Sequence, residues 1–158
     1  MHKTTVVLSL LALSFAPRAR AQDAERSAVV ATVQKVFDGM RTRDTLLIQQ
    51  AFDTSARLLR VTGGAAPALR GISPSRFAAI VRGAKEGDVW NERIYDPEVR
   101  VEGNIAQVWA YYTFHLNATF TSCGIDAFML MKVGDSWKIT QLADREREQG
   151  CTHTEARD

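Results

Sequence analysis

The sequence predicts one α+β domain in which N-terminal helices pack against a strongly curved antiparallel sheet. In the first half of the chain, apolar residues recur at the three- and four-residue spacing of amphipathic helices. From Trp90 onward, four long segments rich in β-branched and aromatic residues follow one another, separated by two-residue turns. Helices grouped first and strands grouped afterwards are typical of the α+β class, and no repeat suggests a second domain.

Residues 1–21 have the three parts of a secretory signal peptide. A basic start precedes an apolar run from Val6 to Ala16, and the small residues Ala19 and Ala21 match a cleavage site. The apolar run is shorter than the roughly 20 residues that span a bilayer. We therefore expect cleavage after Ala21, a periplasmic or secreted protein, and no stable membrane anchor.

The charge of the chain argues against a nucleic-acid partner. The sequence contains 20 basic and 18 acidic residues. Lys3, Arg18 and Arg20 belong to the leader, so its removal leaves 17 basic against 18 acidic residues. No cluster of Lys and Arg interleaved with aromatic residues remains, which is the pattern expected of a nucleic-acid-binding surface.

Three helices are predicted before the strands. The segment "DAERSAVVATVQKVFDGMRTRD" carries an apolar stripe made of Val29, Val33, Val36, Phe37 and Met40. Asp44 can cap a second, short helix, "TLLIQQAF", and Ser73-Pro74 is a strong start signal for a third, "PSRFAAIVRGAK". In that third helix the spacing places Phe77, Ile80 and Val81 on one face.

Two segments lie between the second and third helices. "SARLLRV" is a short strand candidate. "TGGAAPALRGIS" is rich in Gly, Ala and Pro, and its composition predicts the least ordered part of the chain after the leader.

The strands form three consecutive hairpins in the prediction. Their turns are Gly103-Asn104, Asn117-Ala118 and Gly134-Asp135. Pairing outward from the first turn divides the side chains between two faces. The more apolar set is assigned to the interior and consists of Val99, Val101, Val108, Ala110, Tyr112 and Phe114. His115 then points outward, unless a bulge near Pro97 shifts the register.

Cys123 and Cys151 are most simply explained as one disulfide, because the leader predicts an oxidising compartment. The strands joined at Gly134-Asp135 place Cys123 opposite roughly Glu146, from where Cys151 can fold back. Two separate thiols are the alternative. A metal site is disfavoured, since no short Cys/His ligand spacing exists. The bridge would anchor a C-terminal tail, residues 149–158, in which His153 is expected to be mobile.

Several motifs together resemble the nuclear-transport-factor-2-like (NTF2-like) superfamily. They are "VVATVQKVFDGMRTRD", "AFDTSARL", the helix after "SPSRF", and the closing "GDSWKITQLADRERE". The chain looks most like exported bacterial members of the SnoaL-like and lumazine-binding types, from Ala28 to about Arg147. The resemblance implies a cone-shaped barrel over residues 22–148, an internal pocket at its wide end, and frequent homodimerisation through the open sheet face. It does not imply one activity.

The resemblance also suggests candidate site residues. Related enzymes use an acid at the position of Asp126 as a general base, and here Tyr112 or His115 could assist it. A role without chemical function stays open for both Asp126 and His115. Asp126 could pair with an Arg at the surface, and His115 could lie on a surface or dimer face. The expected ligand is a small hydrophobic or heteroaromatic molecule, with no cofactor or metal. Its predicted binding residues are Phe37, Trp90, Tyr112, Phe114 and Asp126, although aromatic stripes are also common in plain cores.

Three functions follow from these observations. The leading hypothesis is an exported small-molecule-binding domain. The second is an enzyme of the isomerase or dehydratase type with Asp126 as general base and Tyr112 or His115 stabilising the developing charge. The third is a structural dimer or partner-binding module that uses an exposed aromatic face around Trp109 and Tyr111.

Overall fold

The computed structural model describes residues 16–62, 65–147 and 149–155, so most of the predicted leader (residues 1–15) lies outside the described residues. The elements, in chain order, are α1 (Ala16–Thr42), α2 (Thr45–Ala51), β1 (Phe52–Val61), β2 (Leu69–Ile72), α3 (Pro74–Arg82), β3 (Trp90–Glu102), β4 (Ile105–Leu116), β5 (Thr119–Val133) and β6 (Ser136–Arg147). None of the helices in these described ranges is both long enough and apolar enough to cross a membrane. The predicted α+β class is confirmed.

One six-stranded sheet, in the order β2-β1-β6-β5-β4-β3, curls around the helices without closing into a barrel. Strands β3 to β6 form the predicted antiparallel meander, with its turns at the predicted positions. The sheet is mixed rather than wholly antiparallel, because β1 runs parallel to β6. The segment expected to be least ordered contributes β2, which pairs with β1 from Leu69 to Ile72.

The core lies between α1 and the sheet face that packs against it, called the inner face below; the opposite side is the outer face. All five residues of the predicted α1 stripe are buried. Phe37 meets Phe128 of β5 edge to face, with ring centroids 6.2 Å apart. Near the start of α1, Glu25 accepts hydrogen bonds from Lys132 and, at 2.9 Å, from the indole nitrogen of Trp137. These contacts hold the first described turns of α1 against β5 and β6.

The two short helices begin where the sequence predicts. Asp44 caps α2 by accepting hydrogen bonds from the backbone N–H groups of Leu46 and Leu47, at 3.0 and 2.9 Å. Ser73 caps α3, and Pro74 occupies its first turn. The predicted buried face of α3 was partly wrong, since the helix buries Pro74, Ala78 and Val81 and leaves Ile80 exposed.

A β-bulge in β3 decides which of its side chains face inward. Tyr95 pairs with Tyr111 and Glu98 pairs with Trp109, so that Asp96 and Pro97 together lie opposite a single residue of β4. Asp96 has a φ of 43°, in the left-handed region, as the extra residue of a bulge often does. Side chains alternate between faces along a strand, so the extra residue reverses the alternation. As a result, Trp90, Glu92 and Ile94 before the bulge lie on the inner face, and so does Val99 after it.

The C-terminal tail crosses the outer face of the sheet. The predicted disulfide is present, with the Cα atoms of Cys123 and Cys151 5.8 Å apart. The Tyr111 hydroxyl donates to the carbonyl oxygen of Thr152 at 2.9 Å and accepts from its N–H at 2.8 Å. His153 stacks on Tyr95 with ring centroids 4.1 Å apart. The expectation that His153 is mobile was therefore wrong, because the bridge and these contacts hold the segment on the sheet.

We predict that Cys151→Ser destabilises the protein by about 2–4 kcal/mol, because the bridge restricts the unfolded chain. Urea unfolding of the wild type and the variant measures the difference. The matched control is reduction: dithiothreitol should lower the stability of the wild type to that of Cys151→Ser and leave the variant unchanged. Equal stability without reductant, together with two free thiols in the mass spectrum of the wild type, would contradict the prediction.

Gly124 of β5 lies directly opposite Tyr112 of β4 and leaves room for its ring. A Cβ atom at this position would overlap the carbonyl oxygen of Arg145 and lie 2.7 Å from Cε1 of Tyr112. A backbone carbonyl cannot move aside as a flexible side chain can. The absence of a side chain at Gly124 therefore fixes the position of the Tyr112 ring on the inner face.

We predict that Gly124→Ala destabilises the fold by about 1–3 kcal/mol, as overpacking of a close backbone contact does. Gly83→Ala is the control, because a Cβ there has ordinary contacts, the nearest being the Ala79 carbonyl oxygen at 3.4 Å. Thermal unfolding of both variants checks the prediction. If Gly124→Ala unfolds at the wild-type temperature, the assigned packing of Tyr112 on Gly124 is incorrect.

Candidate functional site

Ionisable side chains from five strands meet on the inner face of the sheet. This group is called the acid cluster and consists of Arg60 (β1), Glu92 (β3), Tyr112 (β4), Asp126 (β5), and Asp144 and Glu146 (β6). The strand register explains part of the grouping, since Asp126 pairs with Asp144 and Asp144 pairs with Arg60. The curl of the sheet brings β3 into the same group, where Glu92 hydrogen-bonds to Asp126.

Asp126 is the most deeply buried member of the acid cluster, with 1 % of its surface exposed. Burial raises its pKa well above the ordinary value, and the neighbouring negative charge of Glu92 and the hydrogen bond to Glu92 raise it further. Its Oδ2 atom has no hydrogen-bond partner within the described part of the chain. The alternative of a surface Asp126 paired with an Arg is thus wrong.

Glu92 is partly buried and shares a proton with Asp126. Burial raises the pKa of Glu92 to about 7, although the hydrogen bond from Asp126 acts in the opposite direction. Two carboxylates in contact cannot both be ionised without a large cost. Asp126 is therefore the acid that keeps its proton and donates it to Glu92 as Glu92 ionises around pH 7, and the ionised pair carries one negative charge.

Tyr112 lies next to this pair and is 2 % exposed. Burial raises the pKa of its hydroxyl, and the negative charges of Glu92 and Asp126 raise it further. The side chain is therefore a neutral phenol at any physiological pH and can donate an O–H. Tyr112 Oη, like Asp126 Oδ2, is buried without a hydrogen-bond partner among the described residues. These two atoms are called the open polar atoms below.

Arg60 balances the other two carboxylates of the cluster. Its Nε donates to Asp144 at 2.6 Å, and its Nη1 donates to Glu146 at 3.0 Å. About half of the Arg60 side chain is exposed, so this network lies at the solvent side of the cluster. The guanidinium donates its hydrogen bonds to residues of β6, so the carboxyl groups of Glu92 and Asp126 can accept hydrogen bonds from another partner.

The aromatic residues predicted to bind a ligand divide into two groups. Trp90 and Phe114 are partly buried and meet edge to face, with ring centroids 5.9 Å apart. Phe114 pairs with Glu92 across β3 and β4, so this aromatic contact borders the acid cluster. Phe37 packs in the core against Phe128, which is an ordinary structural role.

His115 does not join the acid cluster. It lies on the outer face, as the alternation along β4 predicted, but it is only 3 % exposed. The C-terminal tail covers it: Nε2 lies 3.4 Å from the carbonyl oxygen of Thr154, and the ring contacts Phe120 edge to face. His115 is therefore neither an exposed surface residue nor a neighbour of Asp126, because the C-terminal tail buries it on the opposite side of the sheet. Its interpretation as a dimer-face residue stays a prediction.

Sequence reasoning missed four members of the acid cluster, namely Arg60, Glu92, Asp144 and Glu146. The sequence contained part of the information needed to predict that Glu92 faces inward. A bulge was expected near Pro97, and carrying the alternation through it from Val99 places Glu92 inward beside the predicted ligand residue Trp90. Arg60 and Asp144 needed the parallel pairing of β1 with β6, which no local pattern indicates.

Two surface depressions of the described residues lie away from the acid cluster. One is on the outer face and is lined by Glu98, Arg100, Gln107 and Trp109. The other lies between α1 and β3 and is lined by Arg26, Ser27, Val30, Ala31, Gln34, Pro97 and Val99. Nor do the described ranges contain a group of three or more His, Cys, Asp or Glu side chains able to hold a metal ion. The acid cluster is the candidate site because it holds two buried polar atoms without a hydrogen-bond partner among the described residues.

The fold recurs in solved structures. An NTF2-like protein of unknown function from Shewanella baltica is 16% identical, with a TM-score of 0.63 over 80% of this chain and 97% of that one. Another from Silicibacter pomeroyi is 20% identical, with a TM-score of 0.64 over 80% and 98%. A protein from Streptomyces avermitilis described as a putative dehydratase of the NTF2-like family is 14% identical, with a TM-score of 0.66 over 81% and 99%. At these identities the likeness concerns the fold alone.

No curated protein matches the chain at a significant level. A family model does match, over residues 24–142, and that family is described as "Putative lumazine-binding". The matched range runs from near the start of α1 into β6 and so contains most of the acid cluster. The chain therefore belongs to the "Putative lumazine-binding" family of the NTF2-like superfamily.

Proposed function

We propose that this protein binds a small molecule at the acid cluster on the inner face of its sheet. The observation that carries the proposal is the pair of open polar atoms, Tyr112 Oη and Asp126 Oδ2. Buried polar atoms are nearly always hydrogen-bonded, and leaving one without a partner costs about 1–3 kcal/mol. A ligand that donates to Asp126 and accepts from Tyr112 would recover this free energy.

The aromatic surroundings favour a planar ligand. Trp90 and Phe114 border the Glu92 side of the acid cluster and offer a face on which a flat ring can pack. The family description, which names a heteroaromatic compound, supports the same class of ligand. The proposed ligand-binding residues are accordingly Trp90, Glu92, Tyr112, Phe114 and Asp126, with Phe37 left to the core.

We also propose that the protein acts outside the cytoplasm. The disulfide between Cys123 and Cys151 is of the kind that persists in oxidising compartments, and the leader pattern of residues 1–21 agrees with it. Cleavage after Ala21 would remove residues 16–21 of α1 and leave Glu25 and its contacts to β5 and β6 in place. The periplasm or the extracellular space is the proposed location.

A second candidate function is acid–base catalysis of the isomerase or dehydratase type. It is favoured by the hydrogen-bonded Glu92–Asp126 pair next to a neutral phenol. A carboxylate with a pKa near 7 is suited to take a proton at neutral pH, and the Tyr112 O–H can stabilise negative charge that develops on a substrate oxygen. The relative described as a putative dehydratase agrees with this chemistry.

We predict that hydrophobic and heteroaromatic metabolites that raise the melting temperature of the wild type lose most of their effect on Asp126→Leu, which removes the Asp126 acceptor at similar size, and on Tyr112→Phe. Each variant removes one hydrogen bond to the ligand, which corresponds to about tenfold weaker binding or more. Glu98→Gln, an exposed residue of the outer face, is the control and should respond like the wild type. A screen without any shift, or shifts that persist in both site variants, would contradict the proposed function.

The same ligands discriminate a binding protein from an enzyme. Incubated with the wild type in deuterium oxide, a substrate of the acid–base reaction exchanges a carbon-bound proton, which proton NMR detects. Exchange that Glu92→Gln abolishes supports catalysis, whereas an unchanged ligand spectrum at saturating protein supports binding alone.

A further inference from the structure

The acid cluster contains four carboxyl groups and one guanidinium, and this imbalance bears on the charge of the ligand. We propose that the ligand is a nitrogen base that binds as a planar cation, such as an amidinium, a guanidinium or a protonated amino-heterocycle, with N–H groups directed at the Glu92–Asp126 pair. This inference rests on the proposed function, because it names the chemical class of a ligand for the same site.

Arg60 is the cation of the acid cluster. Burial raises the pKa of both Glu92 and Asp126 and the charge of Arg60 lowers it, but the hydrogen bonds of Arg60 go to Asp144 and Glu146. Asp144 and Glu146 on β6 are neutralised in part by Arg60 of β1, which hydrogen-bonds to both. Arg145 and Arg147 alternate with these residues, so they project from the opposite face of β6 and are exposed.

The other strands do not alter this balance. Arg93 of β3 pairs with Thr113, next to Tyr95 and Tyr111 on the outer face, and Tyr112 of β4 is a neutral phenol. Within the described residues, the net charge that an incoming ligand meets is therefore negative. An anionic ligand would lose its hydration and gain only repulsion, whereas a cation would be attracted.

The geometry of the donors and acceptors also fits a planar cation. A carboxylate accepts two parallel N–H groups from an amidinium or guanidinium, and such charge-assisted pairs are about twice as strong as neutral hydrogen bonds. Asp126 Oδ2 is open for one of these donors, and partly exposed Glu92 can accept another. A cation held there lies beside the Trp90–Phe114 contact, where the face of an aromatic ring adds further attraction.

Binding of such a cation should release a proton. Burial raises the pKa of Glu92 to about 7, so below that pH Glu92 is protonated as well as Asp126, and it is the Glu92 proton that binding releases. A cationic ligand prefers the ionised carboxylate, so it competes with protons for the site. The affinity should therefore rise with pH up to about 7 and level off above it, by up to about tenfold per pH unit below that value.

Three probes of one shape and different charge test the inference: benzamidine (cation), benzamide (neutral) and benzoate (anion). Titration calorimetry with the full chain should show benzamidine binding at least about tenfold more tightly than benzamide, and no binding of benzoate. Acetamidine, acetamide and acetate repeat the series at smaller size, so that a site too narrow for the phenyl ring is still tested.

Two variants locate the binding. Glu92→Gln removes the charge of the pair, so it should reduce the preference for benzamidine over benzamide to less than about threefold and remove the pH dependence between about pH 6 and pH 8. Asp126→Leu removes an acceptor without changing the charge, so it should weaken benzamidine and benzamide alike by about tenfold. Glu98→Gln is again the control and should behave like the wild type.

The possible outcomes separate this inference from the proposed function. If benzamide or a neutral heteroaromatic compound binds as tightly as benzamidine, and Asp126→Leu weakens it, the cation inference is overturned while the proposed function stands. Benzamidine binding that neither carboxyl variant changes would also overturn it, since the cation would then bind elsewhere. If none of these probes and none of the screened metabolites binds, both are overturned.

Discussion

The extra residue at Asp96 and Pro97 determines which side chains of β3 the inner face receives. Without it, strict alternation from Val99 would direct Arg93 and Tyr95 inward and Glu92 outward. With it, Glu92 enters the interior and meets Asp126, while Tyr95 is on the outer face and stacks on His153. One bulge thus provides both the carboxyl pair on one side of the sheet and part of the tail-binding surface on the other.

The carboxyl pair is a costly feature of an otherwise apolar interior. Burying an acid without a compensating partner opposes folding, and here the cost is reduced by sharing one proton and by the Arg60 network beside it. A fold selected only for stability would place apolar residues at these positions. Natural proteins keep residues that are energetically unfavourable in their surroundings chiefly at functional sites. We therefore assign function to this cluster rather than to the exposed outer face.

Much of the architecture could be predicted because it depends on local signals. Short sequence segments specify the two-residue turns, the Asp44 and Ser73 caps, and the α1 stripe. The disulfide follows from the hairpin at Gly134-Asp135. Asp126 and Tyr112 could be proposed together because both belong to strongly patterned strands, and the structure places their side chains in one cluster. Glu92, Arg60 and the covered His115 could not be placed, because their positions depend on a bulge, a parallel pairing and a tail contact between residues distant in sequence.

The proposed site depends on the proton that Glu92 and Asp126 share once Glu92 ionises. Carbon-13 NMR of the side-chain carboxyl groups, followed against pH in the wild type and in Asp126→Asn, tests this most directly. We expect Glu92 to titrate at about pH 7 and Asp126 to be still protonated there. If every carboxyl group of the folded protein ionises below about pH 5, as unperturbed Asp and Glu do, the shared proton does not exist and the account is wrong.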